Sequence, residues 1–427
     1  MFIKKHILLF SVLSSLSILS SCATQAVNPT ELTEAEVKAQ SWFNGNGNNV
    51  PDNGDVNIRL DNLLLSRRTY NNSAPKFYID GVTAFPAMEK IIDEAKKTLY
   101  VETFIWHDDE TGRRIADKLI SKHRQGVEVK VLIDELGLLT KKGDNRIFDY
   151  LKNKGIDVKR YNKLLLGIQG INITHRKLII ADGDTVITGG MNFGDEYEKV
   201  WHDTMVETKG ECVFDIEKEF FVDWVKAGGK TPEKPQTLEP GKVYGTTPIR
   251  IAVTSAFERK KKFQVKDAML TAIGYAKKKI RIAGPYFSDD DMIKKLVEAR
   301  ERGVDVEVVI PKTTDSKAFN NLNMGTARTF LKGDIKVNFY MPRFSHSKVA
   351  IFDDLMILGS SNPDSRSFRE NQELNLVIED NNLKQDIETR FFEEDKKYYE
   401  VQTLDSVKVG FFKKLQQSFL EVIDYYL

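Results

Sequence analysis

His175-Arg176-Lys177-Leu178-Ile179-Ile180-Ala181-Asp182, followed by Gly189-Gly190-Met191-Asn192, is echoed by His346-Ser347-Lys348-Val349-Ala350-Ile351-Phe352-Asp353, followed by Gly359-Ser360-Ser361-Asn362. In each copy a His and a Lys stand two apart, and an Asp follows the Lys by five. An Asn comes ten residues after that Asp in the first copy and nine in the second. A single His-x-Lys on a strand is ordinarily a solvated edge. Two copies with matching Asp and Asn mark a functional site.

The apolar filler alternates, which places His175 and Lys177 on one face with Ile179 and Ala181, and Leu178 and Ile180 on the other. The second copy does the same with His346, Lys348, Ala350 and Phe352. Asp182-Gly183-Asp184 and Asp353-Asp354 are turn signals, and 185–190 and 355–360 read as returning strands. Each copy therefore predicts a hairpin that presents His and Lys at one edge and Asn just past the return.

The duplication reaches beyond the motif. Ala95-Lys96-Lys97-Thr98-Leu99-Tyr100-Val101 is echoed by Ala276-Lys277-Lys278-Lys279-Ile280-Arg281-Ile282, and the strand at 126–133 by that at 303–310. The offsets drift only from 181 through 177 to 171, as loop changes within a duplicated unit would give. Helical spacing at 87–97, 112–124 and 146–154 alternates with strands at 99–105, 127–133 and 158–161. The fold class is α/β, two duplicated sandwich lobes with mostly parallel sheets. The expected organisation is a leader at 1–21, a flexible tether at 22–75, a first lobe at 76–227, a Pro- and Gly-rich linker at 228–245, and a second lobe at 246–427.

The chain of 427 residues suits two such units, and 41% hydrophobic content is enough for their cores. Net charge is +1, so no strongly basic face is implied and nucleic acid is a disfavoured partner. Two cysteines, Cys22 and Cys212, exclude a disulfide framework. Without Cys clusters or closely spaced His pairs, the sequence offers no metal constellation and calls for no cofactor.

The repeated group suits phosphoryl chemistry. One imidazole can act as nucleophile near neutral pH while a second protonates the leaving oxygen. Two lysines and two amides can stabilise the charge of a phosphodiester in the transition state. Each His needs a carboxylate to fix its tautomer. Asp203 stands 28 residues after His175, and Glu373 stands 27 after His346, so each copy has a downstream candidate of its own.

These paired patterns resemble the His-Lys-Asp motifs of the phospholipase D superfamily, over nearly all of 76–427. The resemblance implies that the halves pack about a pseudo-twofold axis with one active site at their interface. It implies a phosphohistidine on one His, taken here as His175, and an acid/base role for the other, His346. The symmetry of the sequence leaves that order open. Lys177, Lys348, Asn192, Asn362 and Ser360 would bind phosphate, and Asp182 and Asp353 would be structural. Gly190 stands where the family usually has Ser, which removes one hydroxyl. The stretch 100–112, Asn192 through Tyr197 with Trp201-His202-Asp203, Asn362 through Phe368 leading to Glu373, and Phe391-Phe392 with Asp395 resemble bacterial cardiolipin synthases and related phosphatidyltransferases. The substrates so implied are phospholipids, with glycerol or phosphatidylglycerol as acceptor alcohol. Hydrolysis of phospholipids, cleavage of nucleic acid and a silent binding scaffold are the competing readings.

The N-terminus carries Lys4, Lys5 and His6, an apolar run at 7–19, and then Leu19-Ser20-Ser21-Cys22. That layout is a secretory signal, with a run short for a spanning helix, and it resembles a bacterial lipobox; a plain signal peptide with an incidental Cys, or a single membrane anchor, is the alternative. The expectation is cleavage before Cys22, acylation of Cys22, and a protein lipid-anchored in the cell envelope outside the cytoplasm. With Ala23 next, the anchor would lie in the outer membrane, facing the periplasm, if the organism has one. Among weaker signals, the run 164–171 could meet acyl chains or be a loop packed on its own core, 106–109 could line the entrance or be a plain loop after a buried strand, and Cys212 reads as a core residue.

Overall fold

The computed structural model describes residue 51 and residues 53–139, 145–162, 172–230, 238–256 and 261–407. The leader, Cys22 and the run 164–171 lie outside the described residues.

The first half contains helix α1 (Val56–Leu63), β1 (Lys76–Ile79), α2 (Gly81–Glu94), β2 (Thr98–Thr103), α3 (Glu110–Arg124) and β3 (Glu128–Asp134). It continues through α4 (Glu135–Leu139), α5 (Asn145–Asn153), β4 (Asp157–Tyr161), β5 (Leu178–Ala181), β6 (Thr185–Gly189), α6 (Asp195–Lys199), β7 (Thr204–Lys209) and α7 (Cys212–Lys226). The second half opens with β8 (Ile249–Ser255), β9 (Lys262–Phe263), α8 (Gln264–Tyr275), β10 (Lys279–Ala283), α9 (Asp290–Glu301), β11 (Asp305–Pro311) and α10 (Lys317–Lys332). It closes with β12 (Lys336–Tyr340), β13 (Val349–Phe352), β14 (Leu355–Gly359), α11 (Ser365–Arg369), β15 (Glu373–Glu379), α12 (Asn381–Ile387) and β16 (Tyr399–Val401).

One sheet has the order β1-β7-β6-β5-β2-β3-β4, the other β16-β12-β11-β10-β13-β14-β15-β8-β9. The two share a seven-strand pattern, as a duplication requires. Neither is mostly parallel, which corrects the sequence expectation. Among the described strands, only β2-β3-β4 and β10-β11-β12 run parallel. Those strands are joined by helical crossovers, whereas the motif hairpins and the strands beside them pair antiparallel. Both predicted hairpins form, β5 with β6 and β13 with β14.

Strand alternation sorts the apolar residues into three layers. Leu178 and Ile180 share one buried cluster with Val349 and Ile351, joining the two lobes face to face. Ile179 and Ala181 turn the other way, onto the helices of the first lobe. Ala350 and Phe352 pack with Val265, Met269 and Leu296 on the outer side of the second. Helix α7 lies in the middle layer, where Phe220, Phe221 and Trp224 are fully buried and Cys212 is core, as expected.

The expected tether at 22–75 is folded in its last third. Asp55 caps α1 through the Asn57 N–H, and Leu60 is buried among Val265, Ala268 and Met269. The Arg250 guanidinium donates to the Asn57 carbonyl at 3.0 Å and to Asp61 at 2.7 Å, while Thr69 pairs with Ile249. Leu60 and Leu64, four apart on one helix face, provide the apolar contact. The Asn- and Gly-rich run that precedes them masked this signal in the sequence.

Candidate active site at the junction of the lobes

Each motif His lies in the extended segment just before its hairpin. The His175 N–H donates to the Gln372 carbonyl at 2.9 Å, and the Gln372 N–H donates to the Ile173 carbonyl at 2.8 Å. In the other half the His202 N–H donates to Phe344 at 2.9 Å and the His346 N–H to His202 at 2.7 Å. Each motif segment is therefore paired, in parallel, with the opposite lobe's segment that ends in a carboxylate.

That pairing crosses the carboxylates. His175 Nδ1 lies 2.9 Å from Glu373 Oε1, and His346 Nδ1 lies 2.7 Å from Asp203 Oδ2. The pairing within each copy that the sequence spacing favoured is wrong. A similar offset from each His is what the duplication imposes, and it does not say which His a carboxylate reaches. An ionised carboxylate only accepts, so each imidazole carries its proton on Nδ1 and leaves Nε2 with its lone pair free for chemistry.

Burial dominates the charges here. His175 is lowered to about 4 by desolvation, against the pull of Glu373 and with help from the Lys177 charge. His346 is lowered to about 3 by desolvation and the Lys348 charge, which together outweigh Asp203. Both imidazoles are thus neutral at pH 7 in the free site. Burial raises the Glu373 carboxyl, but His175, Lys177 and a hydrogen bond from Ser360 overcome it and hold it at about 2. Lys177 is pushed well below the usual lysine range by burial, and Lys348 to about 8. Each lysine leans back on its own motif: Lys177 Nζ donates to the His175 carbonyl at 2.6 Å, Lys348 Nζ to His346 at 2.5 Å. Lys177 feels the Lys348 charge and both carboxylates, and Lys348 feels the same two carboxylates, so the four groups form one electrostatic unit.

The amides complete it. Asn192 Oδ1 accepts from Thr103 Oγ1 at 3.1 Å and from the Ile105 N–H at 3.0 Å, which leaves its NH₂ end as donor. Asn362 is buried, and its Oδ1 has no hydrogen-bond partner among the described residues. Asn192 and Asn362 each follow the returning strand of a hairpin, as expected. Asp182 and Asp353 stand away from the reacting groups. Asp182 accepts from the N–H groups of Lys96, Lys97 and Thr98, Asp353 from those of Lys277, Lys278 and Lys279. Both have left-handed φ, 53° and 52°, so each pins its hairpin turn to the start of the neighbouring strand.

Two further expectations change. Ser360 is fully buried and donates to Glu373 Oε2 at 2.5 Å, so it steadies a carboxylate and does not reach for phosphate. Gly190, its counterpart, is no loss: a Cβ there would lie 2.1 Å from Asp203 Oδ1. The shorter Asp203 occupies the space that a Ser would need. Trp106 and His107 do not line an entrance. Trp106 is fully buried and donates through Nε1 to the Gly112 carbonyl at 3.0 Å, and His107 is buried beside it.

The surroundings of the two imidazoles differ. Trp201, Phe344 and Tyr197 ring His346 at centroid distances of 5.2, 5.5 and 6.3 Å, whereas Phe104 stands 5.7 Å from His175. The roles of Thr103, Gln372 and the Phe344 ring are not among the sequence expectations. Gln372 immediately precedes Glu373, and Phe344 lies two residues before His346. The signal that could have found Gln372 and Phe344 is their nearness to Glu373 and His346, read across both copies; Thr103 lies far from both motifs in sequence.

Two α/β lobes that each lend a His, a Lys, an Asn and a carboxylate to one shared, buried site define a phospholipase D-type protein. The chain belongs to the family described as Cardiolipin synthase, PLD-like domain, which matches residues 88–224 and 269–395. It is 32% identical over 368 residues to cardiolipin synthase 1 of Staphylococcus aureus, covering 81% of this chain and 73% of that protein. It is 30% identical over 392 residues to the cardiolipin synthase of Listeria welshimeri, covering 88% of this chain and 80% of the relative. The phosphatidylserine synthase of Haemophilus influenzae shares the fold, with a TM-score of 0.63 at 18% identity over 83% of this chain and 95% of that one.

Proposed function

We propose that the protein is a cardiolipin synthase-like phosphatidyltransferase working through phosphohistidine. His175 Nε2 attacks the phosphorus of a phospholipid, the bond from phosphorus to the head-group oxygen breaks, and His346 gives that oxygen a proton. An acceptor alcohol then enters. His346 takes its proton, its oxygen attacks the phosphorus, and the bond to His175 breaks. Glu373 and Asp203 hold the two tautomers, and Lys177, Lys348, Asn192 and Asn362 stabilise the phosphate charge. A neutral His346 in the free site is no obstacle. A bound phosphodiester adds negative charge among these groups and raises the His346 pKa, so its proton is loaded with the substrate.

The observation that carries this reading is the reciprocal pairing of His175 with Glu373 and His346 with Asp203. The cardiolipin synthases that resemble the chain along most of its length support lipid as the substrate. Phosphatidylglycerol is the proposed donor, and glycerol or a second phosphatidylglycerol the acceptor. The basic-then-apolar leader ending in Cys22 supports a lipidated anchor that holds the site at a bilayer outside the cytoplasm.

Purified protein incubated with labelled phosphatidylglycerol, with and without added glycerol, tests the reading by product mass. Cardiolipin that falls as glycerol rises is the expected result. Phosphatidic acid alone would make the enzyme a hydrolase, and DNA cleavage without lipid turnover would overturn the lipid reading.

A further inference from the structure

His202 lies next to Asp203 and is itself buried, yet the chemistry above makes no use of its ring. That ring is held on every side, and three of the four groups around it reach across the lobe junction. Tyr340 stacks on it at 4.6 Å and 9°, and Phe391 at 5.2 Å and 7°, both from the second lobe. Nδ1 lies 2.7 Å from Asp80 Oδ1 in the first lobe, and Nε2 lies 2.8 Å from Asp395 Oδ2 in the second. The Asp395 contact is at ion-pair distance and falls outside hydrogen-bond geometry. A neutral imidazole would turn a lone pair towards one of these carboxylates, so the geometry favours the imidazolium. The other charged group at hand is Arg343, which pairs with Asp80 and whose Nη2 lies 3.5 Å from Nδ1. The Tyr340 phenol is raised to about 12 and stays neutral.

The backbone of the same residue holds the acid/base segment. The His202 carbonyl accepts from the His346 N–H at 2.7 Å and from Ser347 Oγ at 3.2 Å. One residue on, Asp203 grips His346 Nδ1. In the other half the equivalent place belongs to Gln372. Its backbone makes the same bridge, and its neutral side chain donates to the Tyr161 hydroxyl at 2.9 Å and to Asp223 at 3.1 Å. The two halves thus make the same junction, with an ion-paired ring on one side and an amide on the other.

We propose that His202, as an imidazolium clamped between Asp80 and Asp395, is the positioning residue that keeps Asp203 aligned on His346, and that its proton makes this side of the lobe junction sensitive to alkaline pH. This deepens the two-His reading, because it acts only through His346. Consistent with the geometry, desolvation lowers the His202 pKa but Asp395 and Asp80 outweigh it and raise it to about 9. A pKa raised above the unfolded value stabilises fully below about pH 6.5, and that stability is lost as pH rises through about 9.

The test is ¹⁵N NMR of histidine-labelled wild-type protein, followed by kinetics of His202→Gln, which copies the other half. Both ring nitrogens of His202 should be protonated at pH 7.5, and the signal should titrate near pH 9. His202→Gln should lower kcat by roughly tenfold or more with KM for phosphatidylglycerol within about threefold, and its unfolding midpoint should vary less with pH between 6.5 and 9 than that of wild type. A neutral His202 ring at pH 7.5 would overturn the proposal, whether or not the variant folds. So would a His202→Gln enzyme with unchanged kcat and an unchanged pH dependence of unfolding. The NMR readout needs no turnover, so it fails or succeeds independently of the lipid reading.

Discussion

His175 Nδ1 meets Glu373 Oε1 at 2.9 Å across 198 residues of chain, and each half of the protein supplies the carboxylate that orients the other half's imidazole. Neither lobe holds a complete site. The crossing follows from the paired backbones, in which Gln372 bridges to Thr174 and His202 to Ser345, so the carboxylate after each bridge falls beside the opposite His. The site is a product of lobe docking, and the predictions below rest on that.

Glu373→Gln should disturb the ring titration of His175 and leave that of His346 near its wild-type value, while Asp203→Asn should do the reverse. Each should lower kcat by roughly two to four orders of magnitude, since an amide can hold the wrong tautomer. Histidine-resolved NMR titration of the two variants checks the direction. Responses in the partner of the same half would contradict the crossed pairing.

Gly190→Ser should be damaging even though it restores a residue common in the family. Its Cβ would sit 2.1 Å from the Asp203 carboxylate and force it off His346. Ser360→Ala removes one hydrogen bond to the ionised Glu373. A bond of that kind is worth about 1.5–3 kcal/mol. Thermal melts and kcat measured side by side should show Gly190→Ser losing more activity than Ser360→Ala.

Lipid capture should weaken above about pH 8. Burial lowers Lys348 to about 8, so in the free enzyme its charge, present below that pH, is lost as pH rises through it. The expected outcome is a fall in kcat/KM on the alkaline side, from groups of the free enzyme. The same depressed pKa costs the folded state stability below about pH 8, and that cost is relieved as pH rises from about 8 to 10.4, where the unfolded lysine still carries its proton. A kcat/KM profile flat to pH 10 would show that the Lys348 charge does not capture lipid.

Asp182→Ala and Asp353→Ala should lower stability far more than intrinsic chemistry. Each strips three backbone N–H groups of their carboxylate acceptor at the start of a central strand. A loss of roughly 2–5 kcal/mol is expected from those bonds together. Urea unfolding checks it, and turnover at low temperature should survive in the fraction that remains folded.

The hairpins, the lysines and the amides were legible because they depend on local alternation and turn chemistry, which β5–β6 and β13–β14 follow closely. The buried Cys212 was legible from its residue type, and the division into two similar sheets from the echoed segments of the duplication. The partner of each His was not, since Glu373 and Asp203 sit at nearly equal offsets and only lobe docking chooses between them. Ser360 was misread as a phosphate ligand because sequence shows that a hydroxyl is present and not where it points. Sheet direction was misjudged because parallel crossovers dominate the regular part of the pattern, while the antiparallel strands lie around the motif. Helix α1 was overlooked behind its Asn- and Gly-rich approach, where composition says nothing of the two leucines that bury it.

Covalent catalysis at one shared site is tested most directly by trapping. Wild-type, His175→Ala and His346→Ala proteins are mixed briefly with acyl-labelled phosphatidylglycerol, quenched in base to preserve phosphohistidine, digested, and mapped by mass. A phosphatidyl adduct on the peptide carrying His175, absent from His175→Ala, is the expected result. An adduct on His346 would reverse the two roles, and cardiolipin formed with no adduct on either His would contradict the phosphohistidine mechanism.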